Sequence, residues 1–186
     1  NSMPVFMWSL PRALRYEVGD LLAKDGVIRR VLIRLTSPKV AFLIYMAVIW
    51  GWHIPVAYGA ALANTPIHYF EHLTMFAAAV FFWWYVIGPA PMRARSSFHG
   101  RMLYLLLATV LNTTLGIGIT FSGSTLYGFY ADAPRHWAMS VAQDVELGGL
   151  IMWILGNMMF LVSIAVLFLV WANREERHTT QQQQVE

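Results

Sequence analysis

The sequence predicts an all-α polytopic membrane protein built on a four-helix transmembrane core. Three observations predict it. Of 186 residues, 58% are apolar and only 12% are charged, where a soluble domain carries about a quarter charged residues. The apolar residues fall in blocks close to the ~20 residues that a helix needs to cross a bilayer. The basic residues sort to one side of those blocks.

Residues 1–38 read as a basic arm. Seven of the thirteen Lys and Arg residues lie in the first 39 positions, with no long apolar run and no cleavable leader among them. Within the arm, Leu21, Ile28, Leu32 and Leu35 fall on one helical stripe. That pattern suits a helix lying on a membrane surface or packed against a partner.

The membrane domain is expected over residues 39–172. Span one covers about 39–54, opened by Pro38, which suits a first helical turn, and closed by Trp50 and Trp52 at the interface. "PVAYGAALANTP" follows as a proline-bounded short interfacial helix. Span two is 67–87, with "FFWWYV" as its aromatic belt. "GPAPMRARSSFHGR" is a loop. Span three is 102–121, and its small and hydroxylated residues "NTTLGIGITF" allow close helix approach and cross-helix hydrogen bonds. A loop of roughly twenty residues leads to span four, 147–172. Residues 173–186 form a polar tail whose glutamine run is expected to be disordered.

Twelve of the thirteen basic residues fall before span one, between spans two and three, or after span four; Arg135 alone falls elsewhere. By the positive-inside rule both termini are cytoplasmic. His53, His68, His72 and His136 then share the outer side with Glu71, Asp132, Asp144 and Glu146. His99 and His178 fall inside, beside arginines.

The chain has no cysteine, which excludes disulfides, thiolate nucleophiles and cysteine metal sites. Phosphate-binding glycine loops, nucleophile signatures and nucleic-acid modules are also missing from the sequence. His68 and His72 are four apart and share a helix face, with Glu71 beside it. His53 ends span one and Asp144 opens span four, so an antiparallel bundle puts all five at one depth. Three readings stay open. The cluster is a metal site of facing helices, or a hydrogen-bonded polar rim in which Asp144 caps span four, or a zinc peptidase motif, since "HYFEH" fits H-x-x-E-H. The last lacks any domain large enough to hold a peptide. Met75, Met139 and Met152 add thioethers, which favour Cu(I). Haem ligation by two histidines is a further reading with less support.

The combination "WGWHIPVAYGAAL", "HYFEHLTMFAAAVFFWWYVIGPAP", "LGIGITFSGSTLYGFYA" and "QDVELGGLIMWILG" resembles the caa3-type cytochrome c oxidase assembly factor family, CtaG in its Bacillus-type sense. The resemblance runs from about Pro38 to Phe160. It implies a multi-pass protein of the bacterial cytoplasmic (inner) membrane, without catalytic activity, that helps produce a haem-copper oxidase and supplies its copper. Carried over by position, the family's characteristic polar residues are His53, His68, Glu71, His72 and Asp144; on the copper reading the three histidines are metal ligands, Asp144 is a ligand or orients one, and Glu71 supports the ligands or partners the helix face. The implied partners are membrane lipids and haem-copper oxidase subunits or another bioenergetic complex, with no nucleic acid. Family members usually cross about seven times, so the resemblance is to a shortened form. Their pattern often has Gln where this chain has Val145 and Pro where it has Tyr85. A permanent structural subunit without metal is the competing role.

Overall fold

The computed structural model describes residues 27–88, 97–123, 126–132, 134 and 138–183. Its regular structure is helical throughout: α1 (Val27–Leu35), α2 (Pro38–Trp52), α3 (Pro55–Ala63), α4 (Thr65–Ile87), α5 (Phe98–Thr120), the single turn α6 (Phe129–Asp132), α7 (Val141–Leu150), a π-helical turn (Ile151–Leu155) and α8 (Gly156–Gln183). The protein is an all-α polytopic membrane protein. Three helices are long and apolar enough to cross a membrane: α4, α5, and the run from Val141 to Gln183. A fourth crossing exists if α2 and α3 count together.

That first span is where the structure departs most from the sequence reading. The expected continuous helix over 39–54 stops at Trp52, and the chain bends by 70° into α3. Pro55 explains the break, because a proline disfavours the helical region at the residue before it. Ile54 accordingly adopts an extended conformation, φ −65° and ψ 131°. The fourth span begins earlier than expected. Ser140 caps it, accepting from the Gln143 amide while Gln143 Oε1 accepts from the Ser140 amide, a reciprocal capping box. Asp144 therefore lies in the first turn and is not the cap. The tail is also more ordered than expected, with α8 running through the glutamines to Gln183. Glu, Arg and Gln are good helix formers, and no Gly or Pro interrupts them. Leu21 of the predicted amphipathic stripe lies outside the described residues; Ile28, Leu32 and Leu35 are in α1.

Packing pairs α2 with α4 and α5 with both α7 and α8, and α2 also touches α5. One core cluster centres on Phe82, Leu105, Ala108 and Phe160, all at most 1% exposed. Phe82 meets Tyr45 at 4.4 Å, Tyr104 at 4.7 Å and Phe160 at 5.8 Å between ring centroids. It thus ties α2, α5 and α8 to α4. A second cluster, Ile119, Tyr127 and Val145 with Tyr58 and Met152 against it, lies toward the other end.

Between them is a polar layer. Asn112 donates to Asn157 Oδ1 at 3.3 Å, and Asn157 donates to Thr113 Oγ1 at 2.6 Å. Both asparagines are buried. Such bonds between helices in lipid contribute roughly 0.6–2 kcal/mol each. Close approach of α5 to the fourth span depends on glycine. A Cβ at Gly116 would run into the Trp153 side chain, and one at Gly149 would sit 2.7 Å from the Thr120 amide nitrogen.

Candidate metal centre

Helix termini set the site. α2 ends and α4 begins at the same end of the bundle where α5 ends and α7 begins. The antiparallel relation of α4 and α5 follows from contacts of Phe82 and Tyr85, late in α4, with Tyr104, early in α5. This end carries every described histidine except His99 and His178. The opposite end carries Arg101 and Arg174.

His53 is the residue just past α2. Its Nδ1 stands 2.6 Å from the Ile49 carbonyl oxygen. A carbonyl can only accept, so Nδ1 carries the proton. In the neutral ring the lone pair is then on Nε2. This is the arrangement that protein metal sites use to fix a histidine tautomer. The His53 main chain is also held: its carbonyl accepts a 3.1 Å hydrogen bond from the Tyr127 hydroxyl.

His53 opens onto a cavity of about 230 Å³ that also touches Asp144, Met152, Tyr58, Tyr127 and Tyr130. Imidazole, carboxylate and thioether thus come to one cavity from three elements. The π-helical turn contributes to this. It contains both Met152, which faces the cavity, and Trp153, which packs on Gly116. One-turn π insertions often occur where side chains must be re-aimed at a functional site.

The tyrosines form a collar. The Tyr58 and Tyr130 hydroxyls are 2.8 Å apart, and the Tyr58 and Tyr127 rings lie 4.4 Å apart. Burial pushes the Tyr127 hydroxyl above its ordinary pKa, and neighbouring Tyr130 adds to this. Tyr127 therefore stays protonated and keeps donating to His53. Candidate residues chosen by charge alone missed these tyrosines. They lie within "WHIPVAYG" and "LYGFYA", and a polar tip on an apolar ring is what a buried rim recruits.

His68 and His72 lie one turn apart on α4, with their Nε2 atoms 2.8 Å apart and their rings tilted by 39°, 4.7 Å between centroids. Only one of the two nitrogens can carry a proton in that contact. His72 is exposed and His68 half-buried. Trp52 joins the end of α2 to α4. Its indole donates to Thr74 Oγ1 at 2.9 Å and packs edge-on against Phe70, 6.1 Å between centroids. Glu71 turns inward and is 8% exposed.

The four residues expected to share one site thus divide into two pairs: His53 with Asp144, and His68 with His72. Among the described residues, no three of His, Cys, Asp and Glu stand close enough together to hold a metal ion. His136 lies outside the described residues. His99 packs on Trp171 at the opposite end.

Comparison with known proteins agrees with this arrangement of motifs. The sequence profile described as "Cytochrome c oxidase caa3 assembly factor" matches residues 2–174. Two mycobacterial proteins, one from Mycobacterium bovis and one from Mycobacterium tuberculosis, both named only as uncharacterized, are each 27% identical over 154 residues. The aligned region is 80% of this chain and 22% of each relative, so the chain spans about a fifth of their length. No solved structure matches. With its profile match running through all four apolar segments, this chain belongs to the cytochrome c oxidase caa3 assembly factor family (CtaG).

Proposed function

We propose that this chain helps assemble a haem-copper cytochrome c oxidase by holding copper at the histidine end of its bundle and passing it on. The observation that carries the reading is the cavity shared by His53 and Asp144. His53 has its tautomer fixed by Ile49, and Met152 lines the same cavity. The donor types fit copper, since imidazole suits it generally and a thioether favours Cu(I). His68 and His72 form the second station. Imidazoles at positions i and i+4 of a helix are a spacing that metal sites use.

Each pair offers two of the histidine and carboxylate ligands and leaves the remaining coordination positions open. That suits transfer better than storage. A resident structural site is closed by the protein's own ligands, whereas a carrier site is completed by the donor or acceptor that docks on it. The copper source and the oxidase would approach from the outer face, where the sorting of basic residues puts this end. Bound copper supplies no chemistry beyond its own transfer. The chain's residues orient the imidazoles, exclude bulk water with the tyrosine collar, and keep the site at one interface.

The test is made in a cell whose own copy of this chain is deleted. Wild-type chain restores copper content and activity of the oxidase. His53→Ala with Asp144→Ala leaves an oxidase that has haem but is poor in copper. Full copper loading with the double variant would contradict the proposal. Stoichiometric co-purification with the finished oxidase would favour a permanent subunit instead.

A further inference from the structure

The arginine end carries a helix that the copper reading does not use. α1 precedes α2 by two residues, Thr36 and Ser37. α2 starts at this end, where Phe42 packs edge-on against Tyr104, 5.2 Å between ring centroids.

A corner separates the two helices. Pro38 disfavours the helical region at the residue before it, and Ser37 is extended at φ −67° and ψ 142°. The Ser37 hydroxyl donates to the Arg34 carbonyl at 2.7 Å, and the Thr36 hydroxyl donates to the Leu32 carbonyl at 2.7 Å. Side chains thus satisfy the end of α1, which does not run on into α2. Ile54 takes nearly the same conformation before Pro55, where the chain bends by 70°. α2 is a rod with a proline corner at each end.

Length fixes the level of the first corner. The 15 residues of α2 rise about 22 Å, against a hydrocarbon thickness of about 30 Å. With Trp50 and Trp52 at the opposite interface, Pro38 can lie no farther out than the near one. A span this short thins the bilayer around it. α1, turning away from α2 at that corner, is held at the membrane surface.

The faces of α1 suit that level. Val31 and Leu35, four apart, share one face. Arg30 and Arg34, also four apart, lie one residue step around the helix, about 100°. Leu32 flanks the Val31–Leu35 stripe on the side away from the arginines, and Ile33 is off it. α1 touches α2, yet Val31 is still 48% exposed, and both arginines are exposed. Apolar surface left in water costs about 25 cal/mol per Å², a cost that acyl chains remove. Arginines on the flank of such a stripe keep their stems on apolar surface and their heads at headgroup level. The pattern by itself suits a membrane surface or a protein partner; the corner and the short rod select the membrane.

From the corner, the rod and the uncovered stripe together we infer that α1 is an interfacial helix whose partner is the lipid surface. It lies along the membrane at the arginine end, with Val31 and Leu35 toward the acyl chains and Arg30 and Arg34 toward the headgroups.

The chain has no cysteine, so a single introduced cysteine reports one position. Val31→Cys, Arg30→Cys and Leu43→Cys are spin-labelled in the full chain, reconstituted into vesicles of phosphatidylcholine and phosphatidylglycerol. All three positions are exposed, so the label displaces no core residue, and Leu43, 66% exposed on α2, is the lipid-facing reference. Collisions with oxygen, which partitions into acyl chains, are compared with collisions with a water-soluble nickel chelate. Oxygen should dominate at Val31, as at Leu43, and nickel at Arg30, a reversal over one residue. Nickel dominance at both α1 positions, from a helix standing in water, overturns the inference. Shielding of Val31 from both reagents overturns it too, because protein then covers the stripe. Oxygen dominance at Arg30 as well as Val31 is the third contrary result.

Discussion

The Tyr127 hydroxyl reaches back across 74 positions to donate a 3.1 Å hydrogen bond to the His53 carbonyl. This one bond ties the loop after α5 to the break after α2, and so fixes the residue that faces the cavity shared with Asp144. Removing the hydroxyl with Tyr127→Phe should cost about 0.5–1.5 kcal/mol, the usual net worth of such a bond. Copper retention should fall while the helical content stays constant. Thermal unfolding followed by circular dichroism, beside copper analysis, checks both.

The same tyrosine predicts an alkaline limit. Its pKa is raised by burial, so the folded state holds the proton more tightly than the unfolded chain does. The associated stability is fully present below the ordinary tyrosine pKa of about 10 and is lost as pH rises above it. Absorbance titration should find a late-ionising tyrosine in the wild type that Tyr127→Phe removes. A titration identical in the two would contradict this placement.

Gly116→Ala should destabilise the fold by roughly 1–3 kcal/mol through overpacking. The obstacle is the base of the Trp153 side chain, with Cγ 2.9 Å from the new methyl, and the base of a side chain cannot swing away. Gly118→Ala is the control, because a Cβ there meets nothing within 4 Å. Thermal midpoints in detergent should drop for the first variant and hold or rise for the second.

Asn157→Leu should break the polar layer. It strands the Asn112 amide, which donates to Asn157 Oδ1 at 3.3 Å, in a buried position. An unmet buried donor costs about 1–3 kcal/mol. Asn112→Leu with Asn157→Leu should recover part of that loss, since apolar replacement of both partners can be nearly neutral. A double-mutant cycle on detergent unfolding measures the coupling.

Asp144→Ala should lower copper binding, whereas Glu146→Ala should not. Both are exposed residues of α7, but only Asp144 lines the cavity. Equal loss in both variants would point to a general effect of surface charge.

Much of this was legible in the sequence because lipid imposes simple rules. Hydropathy placed α4 and α5 to within a few residues, and the short helix after Pro55 was readable from its proline boundaries. The bend itself was less visible, because an apolar run does not reveal that Ile54 must leave the helix to precede Pro55. The true start of the fourth span was written in Ser140 and Gln143, but the salience of Asp144 as an acidic starter obscured that capping box. At the site, residue spacing brought His68 and His72 together, since i and i+4 meet on any helix. It could not decide whether they meet His53 and Asp144. That depends on how far α3 carries the chain sideways after α2, which is a tertiary quantity.

Copper bound per chain is the most direct measurement. The chain is purified in mild detergent, loaded with Cu(I), desalted and analysed by mass spectrometry for metal, beside His53→Ala/Asp144→Ala and His68→Ala/His72→Ala. The predicted result is stoichiometric copper in the wild type, with each double variant losing part of it and the quadruple variant losing all. Wild-type chain holding no more copper than the quadruple variant would contradict a copper-handling role for the histidine end.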